Sequence, residues 1–160
     1  MNAPPKDAFI IIDGRRWRAA DPHIPANLRQ ELVNELMAAR RAVRDAKTDA
    51  AVRAARRRVN DAKLALGERG HAWWLPPTTT ATKRRIEAAI RALLRARVGG
   101  KSICPSDAAR TAGGTAWRPL MPVVRACAAK MATRGELQIL RGGRVLKENL
   151  TTGVLRYRLP

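Results

Sequence analysis

Acidic residues are scarce in this sequence. Thirteen aspartates and glutamates stand against 32 lysines and arginines, which leaves a net charge of +19. A charge this large repels itself unless something neutralises it. Nucleic acid is the first candidate, an anionic membrane surface the second and an acidic protein the third. Aromatic residues make up only 4% of the chain, and alanine and leucine supply most of its apolar side chains. That balance favours helix over sheet.

Cysteine and histidine are rarer still. Cys104 and Cys127 match no metal or redox spacing, so both read as small buried residues in a reducing compartment. His23 and His71 lie far apart, and no Ser-His-acid arrangement is visible. Structural zinc sites normally come with closely spaced ligand pairs, so no metal is expected. "GGKS", residues 99 to 102, has the end of a phosphate loop without its start: Arg95 stands where the first glycine belongs, and no strand precedes it. Asp107 and Glu136 are the only acids in the middle of the second half, and Asp107 suits the first turn of a helix. The expectation is a protein that is not an enzyme and takes no cofactor.

Long apolar runs are missing too. "AFIII", residues 8 to 12, is too short for a signal-peptide core and far too short to span a bilayer. The expected location is the cytoplasm, at the nucleoid, with no membrane partner.

What is present falls into two parts. Residues 8 to 19 read as a β-hairpin turning at Asp13-Gly14. Two antiparallel helices should follow. Leu28, Leu32, Leu36, Ala39 and Val43 line the first; Val52, Ala55, Val59, Ala62 and Leu66 line the second. "KTDA", residues 47 to 50, is the expected connection, with one long bent helix as the alternative. Val33 and Met37 form a smaller second stripe on the first helix. It suits either the hairpin, the "WWL" segment at 73 to 75, or a second copy of the chain in a homodimer through the N-terminal helices. "LPPTTTA", residues 75 to 81, breaks the pattern. The expected division is therefore 1–75, a linker at 76–81, and 82–160.

The second part should run helix, helix, helix, strand, loop, strand. Its first helix covers 82 to 97 and its second 105 to 112, with Pro105 at the first position. "TAWRPLMPVVRACAAKMATRG", residues 115 to 135, holds the third, with Arg118, Arg125, Lys130 and Arg134 and no acid. At about 100° per residue, Leu120, Val124, Cys127 and Met131 share one buried face. Arg118, Pro122, Arg125, Ala129 and Thr133 share the opposite one. Long cations with small neighbours suit a helix entering a major groove. A solvated, alanine-rich face is the plainer alternative. Pro119 fits the first turn, and Pro122 either still falls there or marks the helix start. In the last strand Leu155, Tyr157 and Leu159 should face the core, with Arg156 and Arg158 outside in solvent.

Charge is uneven as well. Residues 82–160 carry 17 basic and 4 acidic residues, net +13, whereas residues 1–81 carry 15 and 9, net +6. The order of elements is that of a winged helix-turn-helix, and Arg141 and Arg144 flank two glycines at the expected wing. The fold class expected is mainly α with small β: an N-terminal β-hairpin and helical hairpin, then a C-terminal winged helix-turn-helix. Double-stranded DNA is the expected partner, for a transcriptional regulator or a nucleoid-associated protein, held by Arg118 and Arg125 centrally and by Arg110, Arg141, Arg144, Lys101 and Lys130 around them. A protein-interaction adaptor and a binder of structured or ribosomal RNA remain as alternatives.

"SICPSDAAR", "WRPLMPVVRACAAKMATRGELQILRGGR" and "LRYRL" resemble a small bacterial domain family of unknown function over roughly residues 84 to 159. The resemblance implies a winged helix and brings no activity, so no functional residue is carried over. "IIDGRRWRAADPHIPANLRQELVNELMAARRAV" to "ALGERGHAWW" resembles another short bacterial family, some of whose members bear a transporter-type name. Nothing in these residues supports transport.

Overall fold

Asp13 and Gly14 both take left-handed backbone angles, φ 51° and 73°. Such a two-residue turn matches the twist of the strands it joins. In the computed structural model, which describes residues 2–148 and 151–160, it closes the hairpin β1 (Phe9–Ile12) and β2 (Arg15–Arg18), with Ile12 opposite Arg15. The hairpin is held by tryptophans from far along the chain. Trp74 meets Phe9 edge-on at 5.6 Å, and the Trp73 indole N–H donates to the Ala19 carbonyl at 3.1 Å.

Helices α1 (Ala26–Asp45) and α2 (Asp49–Leu66) are separate rather than one bent rod. Ala46 is extended, and Thr48 caps α2 by accepting the Ala51 N–H at 3.1 Å. Gly67, at φ 79°, ends α2 in the left-handed conformation. The pair is also tied by charge: Arg58 donates to both Glu35 oxygens, at 2.8 and 3.0 Å, and Glu35 is buried.

Helix α3 spans Thr79–Ala96, beginning three residues before the expected start at 82. The cause is another cap, since Thr78 Oγ1 accepts the Ala81 N–H at 3.1 Å directly after Pro76-Pro77. Helix α4 (Pro105–Gly113) opens with Pro105, and the Asp107 carboxylate accepts the Cys104 N–H at 3.0 Å. Two short 3-10 turns, 114–116 and 118–120, lead into α5 (Met121–Thr133). Pro122 lies in its first turn, where no intrahelical N–H is needed.

A three-stranded sheet follows, ordered β4-β3-β5: β3 (Gln138–Arg141), β4 (Arg144–Val145) and β5 (Arg156–Arg158). β4 stands where a plain loop is expected. Gly142 and Gly143 have φ 54° and 79°, so they close a second tight turn of the same kind. On the far side of β5, Ile103 and Tyr157 exchange backbone hydrogen bonds of 2.8 and 2.9 Å. Leu155 and Tyr157 are buried as expected. Leu159 is not: it lies beyond the ladder and is 41% exposed.

The fold is thus mainly α with small antiparallel sheets. One buried apolar cluster contains Leu28, Leu32 and Leu36 of α1, Leu66 of α2, Ile86, Ile90 and Leu93 of α3, and Val124, Met131, Ile139, Leu155 and Tyr157 beyond. It continues across the 76–81 segment. Val33, Met37 and Val59 rest half-buried against it, so the second stripe of α1 is partly covered within the chain.

A shared core should unfold as one unit. Leu66→Ala, far from α5 in sequence, should lower the stability of the whole chain by about 2–5 kcal/mol. Denaturant melts followed by far-UV circular dichroism should show a single transition that moves. Two transitions, of which only one moves, would contradict the shared core.

Candidate nucleic-acid interface

Helix α5 is positioned by its apolar seam. Val124, Cys127, Ala128 and Met131 are buried, while Leu120 is half-buried. The opposite side presents Pro122, Ala126, Lys130 and Thr133 to solvent, with Arg125 and Ala129 half-buried beside them. Small side chains on an exposed helix face let another surface approach the backbone closely.

At the start of α5 two expected contact residues meet on one ring. The guanidiniums of Arg110, from α4, and Arg118 each lie 4.8 Å from the centre of the Trp117 ring. The half-buried indole thus holds both cations near one place by attraction to its π face. Farther along, Arg125 donates to the Thr151 carbonyl at 2.9 Å, and Arg141 donates to the Thr152 carbonyl at 2.6 Å. These two arginines hold the adjacent carbonyls of 151 and 152, which links α5, through Arg125, to the end of β3, through Arg141. Arg144 is exposed and sits directly opposite Arg141 in the ladder. Like charges facing each other across a sheet repel.

Lys130 is exposed on α5. Lys101 lies elsewhere, on a groove with Glu31, Arg97, Ser102 and Arg156. Arg156, expected to be merely solvated, donates to Ser102 Oγ at 2.6 Å and to its carbonyl at 3.0 Å. No signal in the sequence pairs these two, because only the fold brings the 97–104 loop beside β5.

Most acids of this part are engaged by arginines, and Glu148 stands exposed shortly after β4. Glu87 and Glu136 share Arg91 and Arg134, with contacts of 2.6 to 3.5 Å. Asp107 pairs with Arg97 at 3.1 Å, and Arg97 also grips Glu31 at 2.7 and 3.0 Å. Three of the four acids of residues 82–160 are therefore engaged by internal arginines. Among the described residues, none of the expected contact cations Arg110, Arg118, Arg125, Lys130, Arg141 and Arg144 has an acidic partner. The hydrogen bond from Arg91 holds the Glu136 carboxyl below its usual range, and Arg134 adds to the effect against a modest burial cost.

Residues 83–160 match the model of a family described as Protein of unknown function (DUF3253). The match runs from within α3 to the end of the chain, and all seven expected contact cations lie inside it. No curated protein matches the chain.

The Glu136 contacts predict a pH dependence. The folded carboxyl protonates at lower pH than the unfolded one, whose ordinary value is about 4.3. The pair's contribution is then complete above that value and lost as pH falls through the depressed one. Glu136→Gln should melt earlier than the parent protein at pH 7, and the gap should narrow toward pH 3. Equal gaps at both pH values would show that the ionised pair contributes nothing.

Proposed function

We propose that residues 82–160 form a winged helix-turn-helix that binds double-stranded DNA. Helix α5 would enter the major groove, and the β3–β4 turn would lie along the backbone as the wing. One observation carries this: three of the four acids of this part are held by arginines, while α5 and the turn beside it present cations with no acidic partner among the described residues. The order α3, Ile103 bridge, α4, α5, β3, β4, β5 supports it. So does the placing of Arg110 and Arg118 on one ring at the start of α5.

In this reading Arg144 and Lys130 act on phosphates. Arg118 leads α5 and is the residue best placed to reach a base edge. Arg125 has a second duty, since it also holds the Thr151 carbonyl. Non-specific affinity should then be modest, with a dissociation constant of about 10⁻⁴ to 10⁻⁶ M at physiological salt, and should weaken steeply as salt rises. A protein-docking role is the second reading. It is favoured by the exposed Ile10, Ile11 and Ile12 of β1, of which Ile11 is 67% exposed.

Fluorescence anisotropy of a labelled duplex tests the proposal. Arg144→Ala should weaken all sequences alike and reduce the salt slope by about 1. Arg118→Ala should cost about 1–3 kcal/mol on a preferred site and less on random DNA if it reads a base. Equal losses would make Arg118 a phosphate contact in a sequence-independent binder. Absence of salt-dependent binding to any duplex, with tight binding to folded RNA or an acidic protein, would overturn the DNA reading.

A further inference from the structure

A cleft of about 580 Å³ opens where residues 21–23, the 69–82 segment and the α4–α5 connection meet. That volume is within the range of about 300–1,000 Å³ usual for small-molecule sites. His23 and His71, remote in sequence, both line it. Its apolar walls come from Leu64, Trp73, Leu75 and Leu120.

The polar groups set the sign of what would fit. Asp21 is the one acid on the wall, and it is occupied: Arg85 donates to one oxygen at 2.9 Å, and the His23 backbone N–H donates to the other at 2.9 Å. The His23 ring nitrogen Nδ1 also lies 2.9 Å from that second oxygen. Arg69 and Arg84 line the same cleft. Arg69 donates only to the neutral Asn60 amide oxygen, at 3.0 Å, and Arg84 has no side-chain hydrogen bond or ion pair among the described residues. The His71 Nε2–H donates to the Pro76 carbonyl at 3.0 Å. Arg69 has the Glu68 carboxylate near it, so the cleft combines apolar walls with one guanidinium, that of Arg84, that has no counter-charge among the described residues.

One wall is tightly built. Gly114 has φ 54°, and a Cβ there would lie 2.8 Å from the His23 Cβ, so no larger residue fits. The connection leading into α5 is thus packed directly on the N-terminal part.

We infer that this cleft binds a small organic anion, a flat apolar body bearing one carboxylate, with Arg84 as the charge partner. The inference concerns ligand binding and stands independently of the DNA reading.

Calorimetric titration of the full chain with 2-naphthoate and with 2-naphthamide, its uncharged analogue, tests it. Naphthoate should bind about tenfold or more tightly than the amide, as a charge-assisted contact requires. NMR amide shifts on naphthoate addition should centre on residues 71–75 and 113–116. Arg84→Ala, at an exposed position, should weaken naphthoate several-fold and leave the amide unchanged. Ala81→Trp should fill the cleft and abolish both. Equal affinity for the two compounds, no binding of naphthoate at millimolar concentration, or shifts centred elsewhere would overturn the assignment.

Discussion

The structure depends on the arginines of one helix. Arg85, Arg91 and Arg95 of α3, with Arg97 just past its end, contact six acids: Asp21, Glu31, Asp61, Glu87, Asp107 and Glu136. Only Glu87 belongs to α3 itself. The others come from the segment before α1, from α1, α2 and α4, and from the turn before β3. The apolar face of α3 is buried in the shared core, and its polar face is bound to almost every neighbour by charge. Such pairs specify an arrangement more than they add net stability, because desolvation offsets much of the attraction. Removing one partner would leave the other partly buried and unpaired, which disfavours other arrangements of α1, α2 and α4 around α3.

This arrangement decides where positive charge is left over. A chain with 13 acids and 32 bases can neutralise only part of its surface. Here six of the acids are drawn to the arginines of α3 and to Arg97, while Arg118, Arg125, Lys130, Arg141 and Arg144 are left with no acidic partner among the described residues. Helix α5 packs on α3 within the shared core through Val124, Cys127 and Met131, and it turns Lys130 outward, with Arg118 exposed in the turn that leads into it. The sheet continues that side, with Arg144 at its tip. Arg125 and Arg141 bind the 151–152 backbone, so that backbone is tied both to α5 and to the end of β3. A negatively charged rod would find on this side both charge and a preformed shape.

Much of the fold is legible in the sequence because its signals are local. Asp13-Gly14 can hardly be anything but a tight turn, and the leucines of α1 repeat at helical spacing. The seam of α5 follows from the same periodicity. Other features depend on contacts that spacing does not encode. Thr78 begins α3 early because a threonine hydroxyl accepts an N–H three residues ahead, while the neighbouring prolines suggest a linker. β4 exists because Gly142-Gly143 form a second tight turn in a segment that reads as loop. Leu159 alternates correctly with Tyr157 but has no strand beyond it to lie under. Among the expected contact residues, Arg110, Arg118, Arg125, Arg141 and Arg144 gather around α5 and the β3–β4 turn. Lys101 goes to another groove. The cleft containing both histidines is invisible in one dimension, since its walls come from three distant segments.

The central claim is that the cationic side left by the α3 pairs is where nucleic acid binds. The most direct measurement is NMR shift mapping of the isotope-labelled protein as a short duplex is added at low salt. The account predicts that the largest amide shifts fall on residues 118–130 and 141–145, with α1 and α2 nearly unmoved. Shifts centred on the arginines of α1 and α2, or none at all, would contradict it.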